Sequence, residues 1–224
     1  MDDKRFKTIQ GLGGANVCRN LGLKHANSKY VIFLDSDDQL KPNCLRDRLA
    51  FFEAHPEHDF VVSQTTVFKE HVDKPIGHFR PVVTSTVDNL VLAFVEHKIQ
   101  WNTTGPTWKK SFLEKIGDWN EDYPRLQDVE LHIRALLNNP RIGFVERNDS
   151  YYYQSHFTSE KQYHAQFGFL YLIRDYYLLI KLRYKDDPKL LERFRKAFLQ
   201  SIHSIQSYYQ QRDNWYNPRF NFVF

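Results

Sequence analysis

The chain has 224 residues, 42% of them hydrophobic and 26% charged, with a formal net charge of +4 and two cysteines. That length carries one substantial core and leaves room for a helical appendage. A charge of +4 reads as a solvated basic face and gives no case for nucleic acid, and no stretch reaches the roughly 18 uncharged apolar residues of a membrane span.

Phe6 to Ile9 reads as a short strand, Gly11-Leu12-Gly13-Gly14 as a turn, and Ala15 to Ala26 as a helix with Val17 and Leu21 on one face. Tyr30-Val31-Ile32-Phe33-Leu34 is an apolar run of strand length that reads as buried on both faces. Pro42 opens a second helix, with Leu45, Leu49 and Phe52 as its apolar stripe and His55-Pro56 as its stop. Phe60–Ser63 and Thr65–Lys69 read as strands. Ser85-Thr86-Val87-Asp88 resembles a capping box ahead of a helix over Leu90–His97. Ser111–Ile116 is a short helix stopped by Gly117, and Leu126–Asn138 a longer one with Val129, Ile133, Leu136 and Leu137 inward. Arg141–Val145 and Tyr151–Tyr153 are strand-like, and from Glu160 the chain is helical in two pieces split at Asp186-Asp187-Pro188. Cys18 and Cys44 fall in helices and read as reduced, structural thiols. Met1-Asp2-Asp3-Lys4 has neither the charge order nor the apolar core of a secretory signal. Alternating strands and helices predict an α/β domain over residues 1–158, a mostly parallel sheet with helices on both faces, followed by a helical extension over 159–224.

The most informative point is the end of the Tyr30 run, at Asp35-Ser36-Asp37-Asp38. In open α/β sheets ligands bind beyond the carboxyl ends of strands. Clustered carboxylates there suit a hard cation held together with phosphate oxygens. The plainer reading makes them turn and capping residues before the Pro42 helix. Asp128, at a helix start, has its own plain reading as a first-turn acid that the macrodipole keeps ionised.

Ordered motifs add to this: Gly13-Gly14-Ala15, Arg19-Asn20-Leu21-Gly22, the Asp35-Ser36-Asp37-Asp38 strand end, Leu40-Lys41-Pro42, Gly117-Asp118-Trp119-Asn120-Glu121, and Leu126-Gln127-Asp128-Val129-Glu130 through Arg134. Together they resemble the inverting family 2 glycosyltransferases of the GT-A fold, over roughly Gly13 to Ser159. The resemblance implies a Rossmann-like sheet and transfer of a sugar from a nucleotide-diphosphate donor, UDP-linked by expectation, to a glycan or lipid-linked hydroxyl. It implies Asp35 and Asp37 as the DXD pair, Asp37 and Asp38 as ligands of Mg²⁺ or Mn²⁺, and Arg19 and Asn20 near the donor. It implies Asp128 as catalytic base, with Gln127 where Glu is commoner, and Trp101 and Thr104 where the acceptor binds. The expected setting is cytoplasmic, at the inner membrane face, in bacterial polysaccharide assembly.

The family's first strand, its "P-x-Y-N" turn and its "D-D-G-S" strand do not precede Gly13, so the resemblance implies an N-terminally truncated catalytic domain. One alternative is an inactive remnant serving as a binding or assembly module, with the Phe/Tyr/Leu-rich tail around Phe167–Ile180 offering a dimer or membrane contact. A second alternative starts from Phe33-Leu34-Asp35-Ser36-Asp37, which also resembles the opening motif of haloacid-dehalogenase-type phosphohydrolases. Gln39 and the helical lead into Gly117 oppose it.

Overall fold

A computed structural model describes residues 5–11, 13–82, 85–156 and 158–210. In chain order the elements are α1 (Ala15–His25), β1 (Tyr30–Val31), β2 (Gln39–Leu40), α2 (Cys44–Ala54), β3 (Phe60–Phe68), β4 (Pro75–Phe79), α3 (Val87–Val95), β5 (Pro106–Lys109), α4 (Lys110–Ile116), α5 (Gln127–Leu137), β6 (Ile142–Tyr153), α6 (Ser159–Arg183) and α7 (Pro188–Gln210). The fold is mixed α/β. The sheet runs β1-β5-β3-β6-β2, with β4 against the outer half of β3.

The expected mostly parallel pairing is confined to β3 and β6; the other four pairs are antiparallel. Connection length explains the difference. β3 returns through the short 69–74 turn as β4, which forces antiparallel pairing, whereas β6 arrives after a long helical crossover and can run parallel. β3 is buried along almost its whole length, as a strand covered on both faces must be. It is one strand where two were expected; the predicted break at Gln64 is a double register shift against β6, which leaves its residues 146, 147 and 149 unpaired on either side of Asn148.

Two other expectations are corrected. Phe6 to Ile9 is exposed and unpaired, with Phe6 at 74% exposure. The inward face of α2 is Cys44, Arg48 and Phe52, leaving Leu45 and Leu49 in solvent. Arg48 turns that helix: its guanidinium donates to both Asp149 oxygens at 2.8 and 2.6 Å and to Thr104 O at 3.0 Å, fully buried. A bidentate pair of this kind outweighs two exposed leucines in setting a short helix's rotation.

α3 is capped one residue later than the Ser85–Asp88 box predicts, the Thr86 hydroxyl accepting from Asn89 N at 3.2 Å. α6 and α7 do not form a core of their own. Leu172, Ile173, Tyr176 and Ile180 of α6 and Phe194, Phe198 and Ile202 of α7 join the cluster built on Phe60, Leu90, Phe94 and Trp108. Among the described residues no helix is long and apolar enough to cross a membrane.

Candidate active site

The apolar run leaves the sheet after Val31, and Ile32 to Leu34 continue unpaired; Phe33 alone is buried, edge-on to Trp119 at 5.1 Å. The chain then turns at Asp35, whose carbonyl accepts from Asp38 N at 3.0 Å. Arg19 of α1 reaches this turn. Its Nη2 donates to Asp35 Oδ1 at 2.6 Å and its Nη1 to Asn16 Oδ1 and Gln127 Oε1 at 3.2 and 3.3 Å, with the guanidinium stacked over Trp119 at 4.4 Å. One cation thus ties α1, the Asp35 turn and the start of α5 together. Asn20 sits one residue on and faces the 117–121 loop instead. It exchanges hydrogen bonds with the Trp119 backbone at 2.8 and 2.9 Å and donates to Glu121 at 2.8 Å.

The three aspartates occupy different environments. Asp37 is exposed and, among the described residues, has no hydrogen-bond or ion-pair partner. Asp35 is half-exposed. Asp38 points inward: Oδ1 accepts from Tyr153 N at 3.0 Å and Oδ2 from the Thr104 hydroxyl at 2.5 Å. Burial outweighs those hydrogen bonds and, with Asp35 and Asp37 nearby, pushes its carboxyl up to about 6. The expected acceptor contacts are corrected here. Trp101 and Thr104 are both fully buried, Trp101 packed among Phe60, Phe94 and His132, Thr104 holding Asp38, so neither presents a face to a ligand.

α5 starts from Leu126, held at φ 59°, a left-handed conformation that costs a non-glycine residue about 1–3 kcal/mol and is retained where the surroundings over-determine it. The surroundings are α6: a Cβ on Gly168 would stand 2.8 Å from Arg125 O and 3.0 Å from the Leu126 side chain. Asp128 follows in the first turn, its Oδ1 accepting from Val129 N at 2.9 Å. The macrodipole alone would lower its pKa. Burial instead raises it, with the Val129 N–H and Arg19 opposing the rise. Glu130 and Arg134 turn the other way. Arg134 forks onto Glu130 at 2.7 and 2.9 Å and reaches the carbonyls of Ile116 and Asp118 at the end of α4, while Tyr176 donates to Glu130 at 2.6 Å. That group locks α4, α5 and α6 together and stays out of the cleft.

Tyr152 went unnoticed as a site residue in the sequence. Burial, then the charges of Asp128 and Asp38, push its phenol up to about 12, so it lies within the field of both carboxylates. Arg125 is in the same field. The run Tyr151-Tyr152-Tyr153 carries no sign of which tyrosine faces inward, since the answer depends on the bulge in β6. The site therefore brings together Asp35, Asp37, Asp38, Asp128, Arg19, Arg125 and Tyr152. Among the described residues no three of its carboxylates converge within ligand distance of one another. The donor set fits an ion held by one or two carboxylates and completed by substrate phosphate oxygens, with Asp37 as the available ligand.

Residues 4–158 match the model of the family described as Glycosyl transferase family 2. The poly(ribitol-phosphate) beta-N-acetylglucosaminyltransferase TarS of Staphylococcus aureus is 29% identical over 146 residues, 63% of this chain and 23% of that protein. An uncharacterized glycosyltransferase of Haemophilus influenzae is 30% identical over 117 residues, 51% of this chain and 42% of that protein. The chain thus matches less than half of the length of either relative. The crystal structure of S. aureus TarS 1–349 superimposes with a TM-score of 0.51 at 16% identity, over 94% of this chain and 74% of that one. These matches set aside the phosphohydrolase alternative.

Proposed function

The chain belongs to glycosyl transferase family 2, and from that premise we propose that it transfers a sugar from a nucleotide-diphosphate donor, UDP-linked, to a hydroxyl of a glycan or lipid-linked acceptor with inversion. The observation that carries the reading is the convergence of Arg19, Asp35, Asp37 and Asp128 from three segments, α1, the Asp35 turn and the start of α5. The name of TarS, a poly(ribitol-phosphate) beta-N-acetylglucosaminyltransferase, supports a polymer as acceptor.

Asp37, with Asp35 beside it, would hold Mg²⁺ or Mn²⁺ against the diphosphate. When bound, that ion supplies charge stabilisation to the departing phosphate. Asp38 is better read as a positioning residue: its oxygens are occupied by Tyr153 N and Thr104, and they fix the turn that presents Asp37. Arg19 holds Asp35 in place from beneath. Asp128 takes the proton of the acceptor hydroxyl as the acceptor oxygen bonds to the anomeric carbon and the sugar–phosphate bond breaks, the nucleoside diphosphate leaving on the opposite face. Its raised pKa suits a base working near neutral pH better than an ordinary aspartate's would. Asn20 enters only through the Trp119 loop.

The test is calorimetric titration of UDP into the chain with and without Mn²⁺, beside Asp37→Ala. Metal-dependent binding that the substitution abolishes supports the reading. Binding indifferent to both Mn²⁺ and Asp37 overturns the assigned metal ligand.

A further inference from the structure

Away from this site, the turn between α2 and β3 gathers a second set of ligating side chains, His55, Glu57 and His58. Among the described residues it is the one cluster whose ligand atoms all lie within 4.8 Å of one another. Glu57 Oε1 stands 3.2 Å from His58 Nδ1 and 3.9 Å from His55 Nδ1. Ligands placed tetrahedrally at about 2.0–2.1 Å around zinc lie roughly 3.4 Å apart. One pair therefore already has that spacing, and a second is about half an ångström from it. The His55 and Glu57 side chains, 52% and 43% exposed, are free to close the rest.

The turn itself is fixed on both sides. His55 N donates to Phe51 O at 2.9 Å, ending α2, and His58 N donates to His55 O at 3.3 Å. Lys109 Nζ donates to Pro56 O at 2.7 Å. Asp59 is clamped between β5 and the start of β6, its N–H on Arg141 O, its carbonyl on Lys109 N and its carboxylate on Arg141 N, each at 2.8 Å. The Phe51 ring lies 4.8 and 5.3 Å from the two imidazoles and keeps them on one side of the turn. Ordering the ligands on binding is therefore a small change, which is what favours affinity in a short loop.

We propose that His55, Glu57 and His58 form a binding site for a divalent transition metal of the zinc class, with solvent completing its coordination. Two imidazoles and one carboxylate select such an ion over magnesium, which prefers an all-oxygen shell. The site is thus chemically distinct from the Asp37 site, and a bound ion would staple the end of α2 to the head of the central strand β3.

The test uses the full chain carrying Asp37→Ala, so that the carboxylate site does not contribute, titrated with ZnCl₂ by calorimetry and followed by thermal unfolding. One equivalent should bind and raise the unfolding temperature. Adding His55→Ala or His58→Ala should weaken binding at least tenfold and abolish the rise. His55 is exposed, so its variant keeps the fold, which circular dichroism checks. Zinc affinity unchanged by His55→Ala and by Glu57→Gln would overturn the proposal, as would the absence of a one-equivalent isotherm.

Discussion

Asp128 and Asp38 are both aspartates with raised pKa values, and their surroundings give them different work. Asp128→Asn keeps the size and the bond to Val129 N while removing the proposed base. Transfer should fall by about 10²–10⁴-fold with UDP–Mn²⁺ affinity unchanged, as single-turnover assays beside calorimetry would show. For Asp38 the rise from 3.8 to about 6 corresponds to ~3 kcal/mol. Because the folded value is raised, its favourable share of stability is full below 3.8 and lost as the pH climbs through 6. Asp38→Asn retains an acceptor for Tyr153 N and gains a donor toward Thr104. The variant should therefore unfold at a higher temperature than the parent at pH 8, with the gap closing or reversing at pH 4.

At the scale of elements, two contacts decide how accurately the site is held. Gly168 lets α6 lie against Arg125 and Leu126, so Gly168→Ala must push α6 and the start of α5, which carries Asp128, apart. We expect a loss of about 1–3 kcal/mol in chemical unfolding, and a fall in transfer rate greater than that stability loss explains. Arg48 and Asp149 join α2 to β6 beneath the Thr104 loop. Arg48→Met leaves a buried carboxylate alone and should destabilise by about 3–5 kcal/mol, whereas Arg48→Met with Asp149→Leu should recover most of it. These elements also show what the sequence could tell. The cap of α3 to within one residue, the Gly117 stop and the inward face of α5 were legible because each depends on neighbours within one or two turns. The face of α2 was not, because an arginine reads as a surface residue until its partner a hundred positions away is known. The two-residue strand β2 was equally invisible, being defined by its partner rather than by pattern, and of the strand expected over Tyr30–Leu34 only Tyr30 and Val31 pair.

For the molecule as a whole, one half-buried and one buried histidine govern the response to acid. Burial pulls His97 down to about 4 and His132 to about 3. With folded values below the unfolded one, both contribute in full above pH 6.5, and their contribution drains away as the pH falls toward 4. At pH 5 the pair loses ~4 kcal/mol, which the ~1.4 kcal/mol regained by protonating Asp38 only partly offsets. The unfolding temperature should drop steeply between pH 6.5 and 4.5, and His97→Gln should flatten that slope in calorimetric scans. The motif-bearing residues Arg19, Asp35, Asp37 and Asp128 were singled out by order and spacing, and the fold brings them near one another. Trp101 and Thr104 were misplaced because their neighbourhood in the chain matched while their burial, a property of the finished packing, could not be read there.

The bulge at 146–149 in β6 makes that strand a reading frame. Residues after it point as they do only because the extra length has been absorbed upstream. Removing Arg147 alone, an exposed residue paired with Asp47, would invert the alternation from Asn148 to Tyr153. Asp149 would then leave Arg48, Tyr152 would leave the carboxylates, and Tyr153 N would leave Asp38. A deletion on the surface would be felt in the cleft as a frameshift of side chains.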